Sequence, residues 1–171
     1  VDLTEDRNLL VVDFGGGTLD IALVRTNLAQ GSDGRRSSTH RKGEVIAARG
    51  MNLGGEAVDE WVAELACTKL PSRVDALYGA IRQQAEPAKK ELSGKVLTAD
   101  STYFKLPGLD PLVVSRQEFL NVLEEKGLYD KLERITEAVL EDAEHRVQIH
   151  EIDAVLLVGG STLLPGVREL F

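Results

Sequence analysis

The chain has 171 residues, of which 43% are hydrophobic and 28% charged, as is usual for a globular protein with one domain or two small lobes. Its net charge of −8 argues against nucleic acid or an anionic membrane as the main partner, but not against a nucleotide, which needs only a local set of donors. No apolar run approaches the roughly 20 residues of a membrane span, and the single cysteine, Cys67, has no internal disulfide partner, so we expect a cytoplasmic protein.

The first predicted element is a β-hairpin. An apolar run at residues 9–14 is followed by three glycines and by a second run, residues 19–24, with strand alternation. Three consecutive glycines leave their backbone N–H groups unobstructed, so the turn can fold its donors around an anion. No helix and no Gly-Lys-Ser/Thr sequence follows, which excludes the dinucleotide fingerprint and the P-loop. The turn is therefore either an ordinary tight turn or a phosphate-binding hairpin.

The next segment, residues 27–44, is polar and rich in charge, and we expect it to be a solvent-exposed loop, with a docking loop as the alternative. Residues 45–48 are long enough for a third strand beside the hairpin. A second glycine turn, Gly54 and Gly55 followed by Glu56, then precedes an amphipathic helical pattern.

Residues 74–92 have the apolar period of a second amphipathic helix. Pro87 falls inside this helix and is expected to kink it. Four polar side chains at positions i, i+3, i+4 and i+7 lie on one flank of its apolar stripe: Glu86, Lys89, Lys90 and Ser93. On spacing alone, an exposed face with an ion pair is the simpler interpretation of these four residues.

Residues 96–104 and 112–114 predict two short strands, and Ser115 with Glu118 predicts a capping box that opens a helix. A longer helix follows Gly127. The last apolar run, residues 152–158, predicts a buried strand, a glycine turn and the start of another helix. Paired glycines at the carboxyl end of a strand let a flat ligand approach the backbone closely.

The order of five segments, DFGGGTLD, NLGGEAVD, AEPAKKELSG, SRQEF and AVLLVGGSTLLPGV, resembles the ATPase domain of the seventy-kilodalton heat-shock chaperones of the DnaK type, in the actin-like ATPase superfamily. The resemblance implies an α/β fold: a ribonuclease H-like lobe with a mixed sheet flanked by helices, plus a smaller α+β subdomain. It also implies that the chain is a fragment that covers the second lobe of a two-lobed domain. Residues 1–54 and 115–171 would form the larger subdomain, truncated at its carboxyl end, and residues 55–114 the smaller one.

The same resemblance implies ATP or ADP and Mg²⁺ as ligands. Asp13 would hold the magnesium ion through water, and Asp13 and Thr18 would be the catalytic residues. The positions that match nucleotide-binding residues of the family are Gly15, Gly16, Gly17, Thr18, Gly54, Gly55, Glu56, Glu86, Lys89, Lys90, Ser93, Gly159, Gly160, Ser161 and Leu163.

Two of these positions depart from the family pattern. Two arginines typically hold the adenine ring in these chaperones, and the matching residues are Lys90 and Leu163. A lysine has no planar guanidinium to stack on the base, and a leucine offers only apolar contact. We therefore expect a lower affinity for adenine or a relaxed selectivity for the base. The segment 27–44 is also longer than is usual in the family, which indicates a divergent bacterial-type relative.

The sequence thus predicts an ATP-binding lobe of a heat-shock-chaperone-like ATPase. Its parent would hydrolyse ATP, but the fragment would not, because the phosphate loop and catalytic lysine of the other lobe are missing from it. The implied partners are that first lobe, client polypeptides and co-chaperones, with no nucleic acid and no membrane. The alternatives are a lobe of a sugar or acid kinase, a filament-forming or scaffolding actin-like protein with nucleotide as its switch, and a degenerate relative that binds no nucleotide.

Overall fold

A computed structural model describes residues 6–30, 36–70, 75–94 and 100–171. The elements in chain order are β1 (Arg7–Phe14), β2 (Leu19–Gln30), β3 (Arg36–Met51), α1 (Gly55–Thr68), α2 (Asp75–Ser93), β4 (Ser101–Phe104), β5 (Leu112–Ser115), α3 (Arg116–Glu125), α4 (Leu128–Ala143) and β6 (Ala154–Val158). Three short 3₁₀ turns lie at Ile149–Glu151, Gly160–Leu163 and Arg168–Leu170.

The main sheet has the strand order β3-β2-β1-β6. β1 and β2 pair in antiparallel fashion, as do β2 and β3, whereas β6 lies parallel to β1, so the sheet is mixed as predicted. β4 and β5 form a separate two-stranded sheet. The parallel pairing of β1 with β6 places Asp13 beside Val158. The glycines that follow the two strands therefore meet at the same end of the sheet, where both strands have their carboxyl ends.

The predicted hairpin is confirmed, and its alternation explains which face of the sheet is buried. Leu19, Ile21 and Leu23 are completely inaccessible to solvent and pack in the same core as Val12 and Phe14. Helix α4 covers this face against β2 and β3. Its own apolar stripe, spaced at three and four residues, is buried there as well.

The expectation of a loop over residues 27–44 and a short strand over 45–48 is wrong for most of that segment. β2 continues to Gln30 and β3 already begins at Arg36, with register pairs such as Asn27 with Lys42 and Leu28 with Arg41. Ladder hydrogen bonds use backbone groups only, so a polar sequence can extend a two-stranded ribbon beyond the core. Residues 31–35, in the middle of the same segment, lie outside the described part of the chain.

The helix boundaries follow the local sequence signals. Helix α2 runs through Pro87 without interruption. Ser115 and Glu118 form the predicted capping box, in which the serine hydroxyl accepts from the Glu118 N–H and the glutamate accepts from the Ser115 N–H. Gly127 has a positive φ of 66° and separates α3 from α4. The predicted strand 96–104 is described only from Ser101 onward as β4, because residues 95–99 lie outside the described ranges.

Two expectations for the carboxyl-terminal stretch are wrong. β6 lies at the edge of the sheet in the part of the chain that the structure describes, and Leu156 and Val158 are 38% and 49% exposed on the face opposite the core. The glycine turn leads into 3₁₀ turns, with no α-helix before the end of the described chain. Leu164 precedes Pro165 and has an extended ψ of 144°, since the proline ring disfavours helical geometry at the preceding residue. None of the described helices combines the length and the hydrophobicity needed to cross a membrane.

Candidate functional site

The hairpin turn and the turn that opens α1 pack directly on each other. The N–H of Gly55 donates to the Gly15 carbonyl at 3.0 Å, and the N–H of Glu56 donates to the Gly16 carbonyl at 2.8 Å. A Cβ atom added to Gly54 would lie 2.2 Å from the Gly16 carbonyl oxygen, so only glycine permits this approach. The amino terminus of α1 is thereby fixed against the hairpin.

The glycine turn after β6 reaches the same point. The Ser161 hydroxyl donates to the Gly15 carbonyl at 2.7 Å, so this oxygen accepts hydrogen bonds from two different segments. Gly159 has a φ of 90°, and a Cβ atom there would lie 2.4 Å from the Phe14 carbonyl oxygen and 3.1 Å from Oδ1 of Asp13. Three glycine turns that are far apart in the sequence therefore converge beside Gly15.

Three adjacent backbone donors are left unused at this convergence. The N–H of Gly15 closes the hairpin turn on the Thr18 carbonyl at 3.0 Å. The amides of Gly16, Gly17 and Thr18 donate to no atom of the described residues, and all three residues are exposed. Consecutive free N–H groups in a turn form a concave site of positive potential that suits an anion.

Helix α2 supplies a polar wall next to the turns. Nζ of Lys89 lies 2.8 Å from Oδ1 of Asp59 on α1 and donates to the Gly55 carbonyl at 2.9 Å. Its neighbour Lys90 pairs with Glu86 at 2.8 Å on the exposed side of the helix. The hydrogen bond in this second pair lowers the pKa of Glu86 and raises that of Lys90, so both groups stay charged.

Ser93, one turn further along α2, carries a buried hydroxyl with no partner. Its Oγ atom is inaccessible to solvent and forms no hydrogen bond with any described residue. A buried hydroxyl without a partner costs free energy, and such groups in native proteins usually meet water or a ligand. The wall of α2 therefore has an unused polar group as well as two charged pairs.

These features surround one cleft of about 760 Å³, the size of an ordinary small-molecule site. The predicted residues that line it are Gly15, Gly16, Gly55, Glu56, Glu86, Lys89, Lys90, Ser93, Gly160, Ser161 and Leu163. The predicted residues that do not line it are Asp13, Gly17, Thr18, Gly54 and Gly159, which lie in or next to the three turns at its border.

Sequence reasoning missed four residues that line the cleft: Asp59, Gly94, Leu164 and Arg168. Gly94 and Leu164 are direct neighbours of predicted residues. A signal for Asp59 was present, because an acidic residue between Val58 and Val62 falls on the apolar side of α1, where only a paired charge is tolerated. No local signal identifies Arg168, whose place in the cleft depends on the turns before it.

The predicted magnesium residue, Asp13, is exposed at the end of β1, directly across the ladder from Asp20. Among the described residues there is no group of three or more His, Cys, Asp or Glu side chains that could hold a metal ion. One or two carboxylates together with water and phosphate oxygens are the usual environment of Mg²⁺ in nucleotide sites. The residues present at this point therefore fit a magnesium ion that enters with a phosphate ligand.

A mixed sheet flanked by helices, whose glycine turns meet a helix amino terminus beside a cleft of this size, agrees with the actin-like fold expected from the sequence. Comparison with known proteins gives the family. A family model described as "Hsp70 protein" matches residues 1–171. The chaperone protein HscA homolog of Acinetobacter baylyi (strain ATCC 33305 / BD413 / ADP1) is 34% identical over 164 residues, which are 94% of this chain and 23% of that relative.

The chain belongs to the Hsp70 family of chaperones, and its fold is that of the family's nucleotide-binding domain. The resemblance stated from the sequence, to heat-shock chaperones of the DnaK type, is confirmed, and so is the α/β fold class. The chain spans about a quarter of the length of the curated relative that it matches.

Proposed function

We propose that the cleft binds ATP or ADP together with Mg²⁺. The observation that carries this proposal is the set of free amides at Gly16, Gly17 and Thr18, held at the point where three glycine turns converge on Gly15. The convergence fixes the turn before any ligand arrives, so little conformational entropy is lost when its donors meet a phosphate. The hairpin turn is then the phosphate end of the site.

At the phosphate end, the backbone dipoles of the hairpin turn and a bound metal ion would together balance the phosphate charge. Asp13 is the residue that would hold Mg²⁺, and the ion, when bound, supplies neutralisation of the phosphate charge. We propose Asp13 and Thr18 as the catalytic residues of the parent ATPase. The resemblance to the chaperone family carries both roles, and the two residues lie beside the hairpin glycines, with Phe14 between Asp13 and Gly15.

The α2 wall and the turn after β6 form the nucleoside end in this proposal. Ser93 offers the unpaired hydroxyl, and the ammonium group of Lys89 lies in the same cleft. Gly160 and Ser161 let a flat group approach the backbone. Glu56, Glu86 and Lys90 complete the polar lining.

For the whole protein we propose ATP hydrolysis by the two-lobed parent, in the cytoplasm, with client polypeptides and co-chaperones as partners. We also propose that residues 1–54 and 115–171 form the larger subdomain and residues 55–114 the smaller one. Membership of a chaperone family favours this function over the sugar or acid kinase and over the filament-forming protein.

The proposal is tested by titrating the ¹⁵N-labelled 171-residue chain with MgADP and following the amide resonances, a method that detects millimolar affinities. We expect the largest shifts at Gly16, Gly17 and Thr18 and along α2 near Ser93. Ser93→Ala removes the unpaired hydroxyl and is expected to weaken binding. Ser101→Ala on β4 is the control and is expected to keep the wild-type affinity. Amide resonance shifts scattered over the surface, or no shifts at the highest nucleotide concentration of the titration, would contradict the proposal.

A further inference from the structure

Among the described residues, three cationic side chains line the cleft, and two of them already have partners. Lys89 is held by Asp59 and Lys90 by Glu86, each at 2.8 Å. Arg168 is exposed and forms no ion pair and no hydrogen bond with the described residues. Within the described chain it is therefore the cation of the cleft whose donors and planar face are unused.

The residues that lead into Arg168 are packed against the rest of the fold. Before it, Val167 is completely buried, and the Tyr129 hydroxyl on α4 donates to the Pro165 carbonyl at 2.9 Å. Gly166 has a φ of 77° and packs against the Tyr129 ring, which a Cβ atom would approach to 2.9 Å. The backbone of Arg168 is thus positioned by α4, and only its side chain remains to be ordered by a ligand.

The same segment joins Arg168 to the glycine turn after β6. Ser161 is its point of contact with the hairpin turn, and the Leu164 N–H donates to the Ser161 carbonyl at 3.1 Å. Leu163, which is 64% exposed, and Arg168 lie beyond this contact along the chain. They combine an apolar side chain with a planar, weakly hydrated cation, and a guanidinium of this kind stacks well on aromatic rings.

We propose that Arg168 is a specificity-determining residue that stacks its guanidinium on the base of the bound nucleotide, with Leu163 supplying an apolar side chain in the same cleft. This inference rests on the proposed nucleotide function. It explains how a cleft with a leucine at position 163, and with Lys90 engaged by Glu86, can still make a cation–aromatic contact with the base.

The test compares three ligands that separate the base from the phosphates: adenosine, MgADP and magnesium pyrophosphate. Arg168→Ala is expected to weaken the binding of adenosine and of MgADP by the same factor, about tenfold, and to leave pyrophosphate unchanged. Arg168→Lys keeps the charge without the planar group and is expected to lose most of the same factor for adenosine. Arg134→Ala, an exposed arginine on α4 away from the cleft, is the matched control and is expected to bind like the wild type.

The outcomes distinguish this inference from the proposed function. Weaker pyrophosphate and MgADP binding with unchanged adenosine binding would make Arg168 a phosphate ligand and overturn the inference. Equal affinities of wild type and Arg168→Ala for all three ligands would also overturn it, while MgADP binding by the wild type would leave the proposed function standing. A wild type that binds none of the three ligands would refute both. Thermal unfolding of each variant shows that its fold is intact.

Discussion

The ammonium group of Lys89 lies 2.8 Å from the carboxylate of Asp59, and the two side chains are only 13% and 7% exposed. The next residue, Lys90, pairs with Glu86 at the same distance, but these side chains are 71% and 56% exposed. Two lysines adjacent in the sequence therefore have different roles. Lys89 ties α2 to the amino terminus of α1, whereas Lys90 borders the cleft from the solvent side.

The first prediction concerns the buried pair. Asp59→Asn leaves the Lys89 charge buried without a compensating carboxylate, so we expect the free energy of unfolding to fall by about 3 kcal/mol. Urea denaturation followed by circular dichroism measures this change. Glu86→Gln breaks the exposed pair and is expected to leave the midpoint unchanged. Equal midpoints for the wild type and Asp59→Asn would show that Asp59 does not hold the lysine charge.

Local patterns predicted the elements on which the candidate site lies, and the family resemblance assigned the site residues, but periodicity could not predict how the elements meet. The hairpin follows from strand alternation around three glycines, and the α2 flank follows from spacings of three and four residues. The contact between Ser161 and Gly15 joins residues 146 positions apart. Asp59 and Lys89 lie on different helices. Periodicity shows at most that Asp59 needs a partner and identifies neither pairing, since both depend on how β6 and α2 pack against distant elements.

The incorrect expectations for the segment after the hairpin and for β6, and the omission of Arg168, also arise because tertiary packing is not visible in local sequence patterns. The polar segment after the hairpin resembles a loop by composition, yet β2 and β3 pair there through backbone groups that do not depend on side-chain polarity. The run before Gly159 resembles a buried strand, but the exposure of Leu156 depends on whether anything covers that face of the sheet. Arg168 was missed because its position follows from Gly166 and Tyr129, and not from a motif.

The second prediction concerns the glycine turn after β6. Gly159→Ala places a Cβ atom 2.4 Å from the Phe14 carbonyl at a φ of 90°, so we expect a loss of about 2 kcal/mol or more in the free energy of unfolding. The matched control is Gly160→Ala, because a Cβ atom there would have no neighbour within 4 Å among the described residues. If the two variants unfold at the same urea concentration, the close approach of the two strand ends is not present in solution.

The third prediction is a dependence of stability on acid pH that arises from Glu118. The hydrogen bond from Lys69, followed by those from the backbone N–H and hydroxyl of Ser115, lowers the pKa of this carboxyl from 4.5 to about 2. The folded state therefore favours the ionised form, and the resulting stability is fully present above pH 4.5 and is lost as the pH falls toward 2.

We expect Glu118→Gln to be less stable than the wild type at neutral pH and the difference to shrink steadily over that acid range. Urea denaturation at a series of pH values measures it. The control is Glu125→Gln, which changes an exposed glutamate at the end of the same helix that makes no ion pair within the described residues and is expected to be as stable as the wild type at neutral pH. A difference for Glu118→Gln that is constant with pH would mean that the carboxyl is not held in its ionised form by these contacts.

The last prediction concerns chemistry at Asp13. Phosphoryl transfer to water needs charge neutralisation and positioning around the whole transferred group, and the described chain supplies the free amides of the hairpin turn and the carboxylate of Asp13 on one side of the cleft. We therefore expect the 171-residue chain to bind MgADP without releasing phosphate from MgATP above the rate of buffer alone, as measured by a colorimetric phosphate assay. Asp13→Asn is expected to lower the affinity for MgADP but not for adenosine, because the proposed metal contact would be lost while the nucleoside end is unchanged. Magnesium-dependent turnover by the wild-type chain that disappears in Asp13→Asn would show that this lobe alone contains the catalytic machinery, and the need for a second lobe would have to be abandoned.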